Sequence, residues 1–134
     1  MFLLVNRVAN PVLRWLLRSP AHGLLSRRLL LLEVRGMRSG RWFTFPVQYG
    51  RDGDAFVVVP GYAAKKRWWR NLRLPSPVGY WHLGERGEGT GVVVTEADLK
   101  ARSLAAYAAG RRRSSKSLDP AEAVVVRIEP RPRG

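Results

Sequence analysis

Trp42-Phe43-Thr44-Phe45-Pro46-Val47-Gln48-Tyr49, then Arg51-Asp52-Gly53-Asp54, then Ala55-Phe56-Val57-Val58-Val59: the reading of this stretch decides the fold. Bulky and smaller side chains alternate along the first segment, as in a strand with two unlike faces. Asp-Gly inside a polar tetrapeptide signals a hairpin turn, and the β-branched run behind it supplies the returning strand. Upstream, Leu29 to Arg35 is a continuous apolar run too short for a typical helix and stopped by Gly36, hence a buried strand. Downstream, Pro60-Gly61 breaks the chain; Val78 to Leu83 and Gly91 to Thr95 read as a second hairpin around the glycine-rich Gly84 to Gly89. Ala123 to Glu129 is a last strand.

Helical signals surround these strands. From Phe2 to Leu17, Val5, Val8, Val12, Trp15 and Leu16 recur at helical spacing opposite Arg7, Arg14 and Arg18, and Ser19-Pro20 opens a short second helix. Ala63 to Leu72 reads as a basic, aromatic helix stopped before Pro75 and Pro77. Thr95, followed by Glu96 and Asp98, begins another through Tyr107, with acids at its positive end. Strands joined mainly as hairpins, not alternating regularly with helices, make the class α+β: a small barrel of about six mostly antiparallel strands. An N-terminal amphipathic helix and two or three further helices complete it. Residues 1–28 form the helical segment packed on the barrel, 29–130 the barrel itself and 131–134 a tail.

Composition bounds the function. The chain has 134 residues, 46% of them hydrophobic and five of them Trp, enough for one core. No cysteine is present, which excludes disulfides, thiolate nucleophiles and Cys-based metal centres and fits a reducing, cytoplasmic location. Twenty-four Lys and Arg against 10 Asp and Glu leave a formal charge of +14, a field that favours anionic partners. Arg7, Arg14 and Arg18 interrupt the first apolar stretch, so it is not a spanning helix. It either covers the core or lets residues 1–18 rest on an anionic membrane, at the inner face.

Two constellations carry candidate chemistry. Gly36-Met37-Arg38-Ser39-Gly40-Arg41 is a turn in which glycines allow outward-pointing N–H groups beside guanidinium forks matched to phosphate oxygens. Lys65-Lys66-Arg67-Trp68-Trp69-Arg70-Asn71-Leu72-Arg73 has no acid and two adjacent Trp. Neighbouring helical positions point about 100° apart, so one ring is expected in the core and the other at a rim. His22 and His82 stand far apart without carboxylates, so no metal site is expected. No nucleophile elbow or carboxylate pair occurs, and an enzyme built this way would take its reactive atoms from a cofactor.

The order of segments resembles a known family. Leu29 to Gly40, then Phe45-Pro46-Val47, Arg51-Asp52-Gly53-Asp54, and Lys66-Arg67-Trp68-Trp69-Arg70-Asn71-Leu72 are together similar to the deazaflavin-dependent nitroreductases. The resemblance implies a split β-barrel, coenzyme F420 as hydride carrier, and an electron-poor acceptor such as a quinone or nitro compound. Carried over by position, Arg38, Ser39 and Arg41 hold the phosphate and oligoglutamate tail, and Pro46 and Val47 line the site. Pro60, Gly61, Tyr62 and Ala63 border the deazaflavin, and Trp68 and Asn71 close over it, which leaves Trp69 as the better core candidate. Met37, Phe43 and Gly61-Tyr62 depart from the family's pattern. Tyr49, Tyr62 and Ser115 are candidate hydrogen-bond donors to a reduced acceptor. Flavin mononucleotide is the alternative cofactor, a homodimer the expected assembly of such barrels, and a non-enzymatic module for nucleic acid or anionic membrane the alternative function.

Overall fold

The computed structural model describes residues 29–60, 67–109 and 123–132. The expected helices before Leu29, Gly61 to Ala63, and the Arg111 to Lys116 loop with Ser115 lie outside the described residues.

Seven strands form one antiparallel sheet: β1 Leu29–Arg35, β2 Trp42–Gln48, β3 Gly50–Asp52, β4 Ala55–Val58, β5 Ser76–His82, β6 Glu85–Val93 and β7 Val126–Pro130. Their spatial order is β2-β1-β5-β6-β7-β4-β3. The two edges of this order, β2 and β3, are separated in the chain by Tyr49 alone. Consecutive Cα atoms are about 3.8 Å apart, so the edges must meet within about 8 Å at that residue. The sheet therefore curls into a half-barrel with Tyr49 at its corner, in agreement with the α+β barrel expected from the strand pattern.

Alternation sorts the side chains. Leu30, Leu32 and Val34 of β1 are 0–1% exposed and pack with Phe56, Val58, Val78, Val126 and Ile128 inside the curl. On the opposite face a smaller cluster of Val57, Val94, Leu104, Tyr107 and Val125 lies under helix α1, Ala97–Ala109. An ionic web centred on Arg127 ties α1 to the sheet. Its Nη1 donates to Asp52 at 2.7 Å and to Ser103 of α1 at 3.3 Å, while Arg102 of α1 reaches the same Asp52 carboxylate. The hydrogen bond from Arg127 is the main cause that holds the Asp52 carboxyl below its ordinary range.

Several boundaries differ from the sequence-based expectation. Thr95 does not cap α1: the Glu96 carboxylate accepts the N–H groups of Asp98 at 3.0 Å and Leu99 at 2.7 Å. The described part of the expected Ala63–Leu72 helix is a 3-10 helix, Trp68–Leu72, without a side-chain cap. Its end at Leu72 is where the sequence placed it, ahead of Pro75. The glycine-rich stretch is not the loop of the second hairpin. The turn is Leu83-Gly84, with φ of 53° and 81°, and Gly87 and Gly89 lie within β6. Gly87 faces the ring of Tyr80, which occupies the space a Cβ would need. Among the described residues no helix is long and apolar enough to cross a membrane.

Candidate functional site

The β1–β2 turn closes by two backbone bonds, Gly36 N–H to Arg41 carbonyl at 2.7 Å and Gly40 N–H to Gly36 carbonyl at 2.9 Å. Gly40 has φ +69°, the left-handed region that glycine adopts without strain. The Arg41 N–H donates to Ser39 Oγ at 3.1 Å, and the side chains of Arg38 and Arg41 are exposed. Asn71, 34 residues further on, then clamps the turn: its Oδ1 accepts the Met37 N–H at 2.9 Å while its Nδ2 donates to the Trp68 carbonyl at 3.0 Å. The two constellations singled out in the sequence thus share one end of the barrel.

Trp68 stacks on Phe45, centroids 5.1 Å apart and rings tilted by 50°. The expectation that Trp69 alone enters the core is not met. Both Trp are half-buried against the core, and Trp69 packs under Arg70 and Arg73, with guanidinium carbons 5.6 and 5.5 Å from its ring. Leu72, 1% exposed, is the residue that anchors this segment. A 3-10 turn of three residues, rather than an α-turn, sets which side chain faces inward. Pro46 and Val47 point to opposite faces of edge strand β2, Pro46 exposed and Val47 half-buried against the core. Pro60 is buried.

At the other end of the curl, Tyr49 and His82 share a hydrogen bond of 2.9 Å and pack edge-on with Phe56. His82, Phe56, Tyr80, Arg51 and Arg131 help line a cleft of about 560 Å³. The Arg51 guanidinium lies 4.1 Å from the centroid of the Phe56 ring. The seven-residue length of β1 separates this cleft from the Arg38 turn, about 20 Å at some 3.3 Å per residue.

Burial pushes the His82 imidazole below its ordinary value of 6.5; Arg51 adds to this and Glu85 opposes it. Burial raises the Tyr49 hydroxyl, against the pull of Arg51. A histidine depressed in the folded state binds fewer protons than in the unfolded chain. Its contribution to stability is then complete above about 6.5 and is lost as pH falls through the lower folded value. Thermal melts of the wild type should show that acid-side loss, and His82→Gln should flatten it. An unchanged slope in the variant would mean that other groups cause it.

The sequence reading missed Glu33. It is 0% exposed, yet it sits in the middle of β1. Arg86 Nη2 donates to Oε1 at 2.6 Å and Trp81 Nε1 to Oε2 at 3.0 Å. A single acid inside an apolar strand was the available signal: such a carboxylate needs a cation when buried. Gly79, opposite Glu33 in register, leaves the room; a Cβ there would collide with the carboxylate. Among the described residues no group of three or more His, Asp or Glu is placed to hold a metal.

Comparison with known proteins joins these observations. A Mycobacterium tuberculosis (strain ATCC 25618 / H37Rv) protein, Rv3178, named as an F420H(2)-dependent quinone reductase, is 36% identical over 76 residues. The match covers 54% of this chain and 63% of that protein's length. The solved F420-H2 dependent reductase FDR-A superposes with a TM-score of 0.52 at 14% identity, covering 77% of this chain and 95% of that one. The FAD and heme binding protein from Mycobacterium smegmatis gives 0.55 at 20% identity, covering 82% and 64%. At such identities these two likenesses speak for the barrel only. The sequence profile of F420H(2)-dependent quinone reductases matches residues 19–115, across the Arg38 turn, the Trp68–Asn71 clamp and the second hairpin, and the chain belongs to that family.

Proposed function

We propose that this chain binds coenzyme F420 and passes a hydride from its reduced form to a quinone. The observation that carries the reading is the Asn71 clamp, which sets Arg38, Ser39 and Arg41 beside the Trp68–Phe45 pair at one rim of the curl. The residues present suit the anionic part of the coenzyme: two exposed guanidiniums on a glycine-closed turn, with no acid between Val34 and Thr44. When bound, the reduced deazaflavin supplies the hydride; the protein binds, orients and shields.

In this reading Arg38 and Arg41 pair with phosphate and carboxylate groups of the tail, and Ser39 supports the turn through the Arg41 N–H. Asn71 acts by holding the turn, since both ends of its amide are engaged. Trp68 walls the ring site, Val47 and Pro60 supply apolar lining, and the edge of β2 at Pro46 borders it. Of the candidate donors Tyr49 is the one among the described residues: it follows Val47 by two residues on the same face, toward the end of the curl away from the Arg38 turn, and its hydroxyl is paired with His82. At neutral pH that pair is uncharged, and Tyr49 can hold a proton for the acceptor.

Titration of the full chain with oxidised F420, alongside flavin mononucleotide and a random oligonucleotide, tests the assignment. Stoichiometric binding of F420 with perturbed absorbance is expected. Asn71→Ala should weaken it about tenfold, the worth of one hydrogen bond near a charged ligand. Stoichiometric binding of flavin mononucleotide in place of F420 would sink the coenzyme assignment.

A further inference from the structure

Among the described residues, large exposed apolar side chains are concentrated at one end of the barrel. Met37 is 70% exposed, Leu74 71% and Phe43 50%; the remaining one, Leu83 at 56%, sits on the β5–β6 turn at the other end. The first three belong to neighbouring segments. The Met37 N–H bonds Asn71, Leu74 follows Asn71 by three residues, and the Phe43 ring lies against Gly36 at the base of the turn. Cations surround them. Arg35, Arg38 and Arg41 flank the turn, Arg67, Arg70 and Arg73 are all exposed on the 3-10 segment, and neither stretch contains an acid.

We infer that this end of the barrel docks on an anionic lipid bilayer, with Met37, Leu74 and Phe43 entering below the headgroups and the arginines pairing with lipid phosphates. Isolated exposed apolar residues need no explanation, but three together inside a ring of guanidiniums match the two forces of interfacial binding. Nucleic acid would share the charge term and could stack on Phe43 alone of the three. It would gain nothing from aliphatic Met37 and Leu74, and the Trp rings that bases would stack on are already packed, Trp68 on Phe45 and Trp69 under two arginines. The inference does not depend on the coenzyme assignment. If both hold, a lipid-soluble quinone would reach the Arg38 end of the barrel directly from the bilayer.

The test is cosedimentation of the full chain with mixed phosphatidylglycerol and phosphatidylcholine vesicles, against phosphatidylcholine alone. Binding should require phosphatidylglycerol and weaken steeply with added salt. Because Arg38 and Arg41 also serve the coenzyme reading, the informative substitutions are apolar. Met37→Gln with Leu74→Gln should lower partitioning about tenfold or more, Leu74→Gln alone should lower it less, and Leu83→Gln should leave it unchanged. F420 titration of the same variants should match the wild type, so that loss of vesicle binding and loss of coenzyme binding are read separately. Equal partitioning of wild type and the Met37/Leu74 variants would overturn the inference. So would indifference to phosphatidylglycerol, or a random oligonucleotide bound as tightly as the vesicles and weakened by the same two substitutions.

Discussion

Arg86→Ala should destabilise the barrel by about 3–5 kcal/mol, the range for leaving one member of a buried ion pair without its partner. The reason lies in Glu33, which is 0% exposed and receives two contacts from the guanidinium, Nη2 at 2.6 Å and Nε at 3.4 Å. With Arg86 gone, the Trp81 N–H at 3.0 Å is the remaining donor to that carboxylate among the contacts described above. One neutral indole cannot offset the loss of solvation by a whole charge. The pair also crosses from β1 to β6 over β5, so it fastens three adjacent strands. Thermal or urea melts measure the effect. Glu33→Leu combined with Arg86→Met should recover most of the stability, because removing both charges removes the desolvation problem along with the attraction. If Arg86→Ala melts like the wild type, the carboxylate is solvated in solution and the pair is dispensable.

That pair also shows where sequence reasoning stops. Strand β1 was legible to its last residue because four leucines and a valine bounded by glycine have few alternatives, and the Asp52–Asp54 turn was legible because its chemistry is local. The partner of Glu33 is 53 positions away, and only strand order brings it near. Glycines misled in the second hairpin: Gly87 and Gly89 look like loop residues, but a Cβ at Gly87 would meet the Tyr80 ring and one at Gly89 the backbone of β7. Tyr49 is a further case. Its role as the corner where both sheet edges meet depends on the full seven-strand order, which no local window contains. The Arg38 turn and the Trp68–Asn71 segment were each visible as motifs. That they meet depends on the burial of Leu72 and on a side-chain hydrogen bond across 34 residues.

Replacing Arg38 and Arg41 together by Ala should weaken F420 binding by about 3–6 kcal/mol, since each charge-assisted hydrogen bond is worth roughly 1.5–3 kcal/mol. In affinity that is a factor of at least about a hundred. Both side chains are exposed, and among the described contacts the turn is held by backbone bonds, Ser39 Oγ, Arg35 and Asn71. The Arg38 and Arg41 side chains take no part in those bonds, so melting should change little. The double variant should therefore separate binding from folding, which Leu72, buried beneath the same segment, could not do. Raising the salt concentration should narrow the gap between wild type and variant, because exposed charges are screened over about 10 Å at 0.1 M. A gap that persists at high salt would point instead to shape contacts within the turn. If the double variant binds F420 as tightly as the wild type while its melting curve is unchanged, the anionic tail lies elsewhere and the Arg38 turn is not part of the coenzyme site.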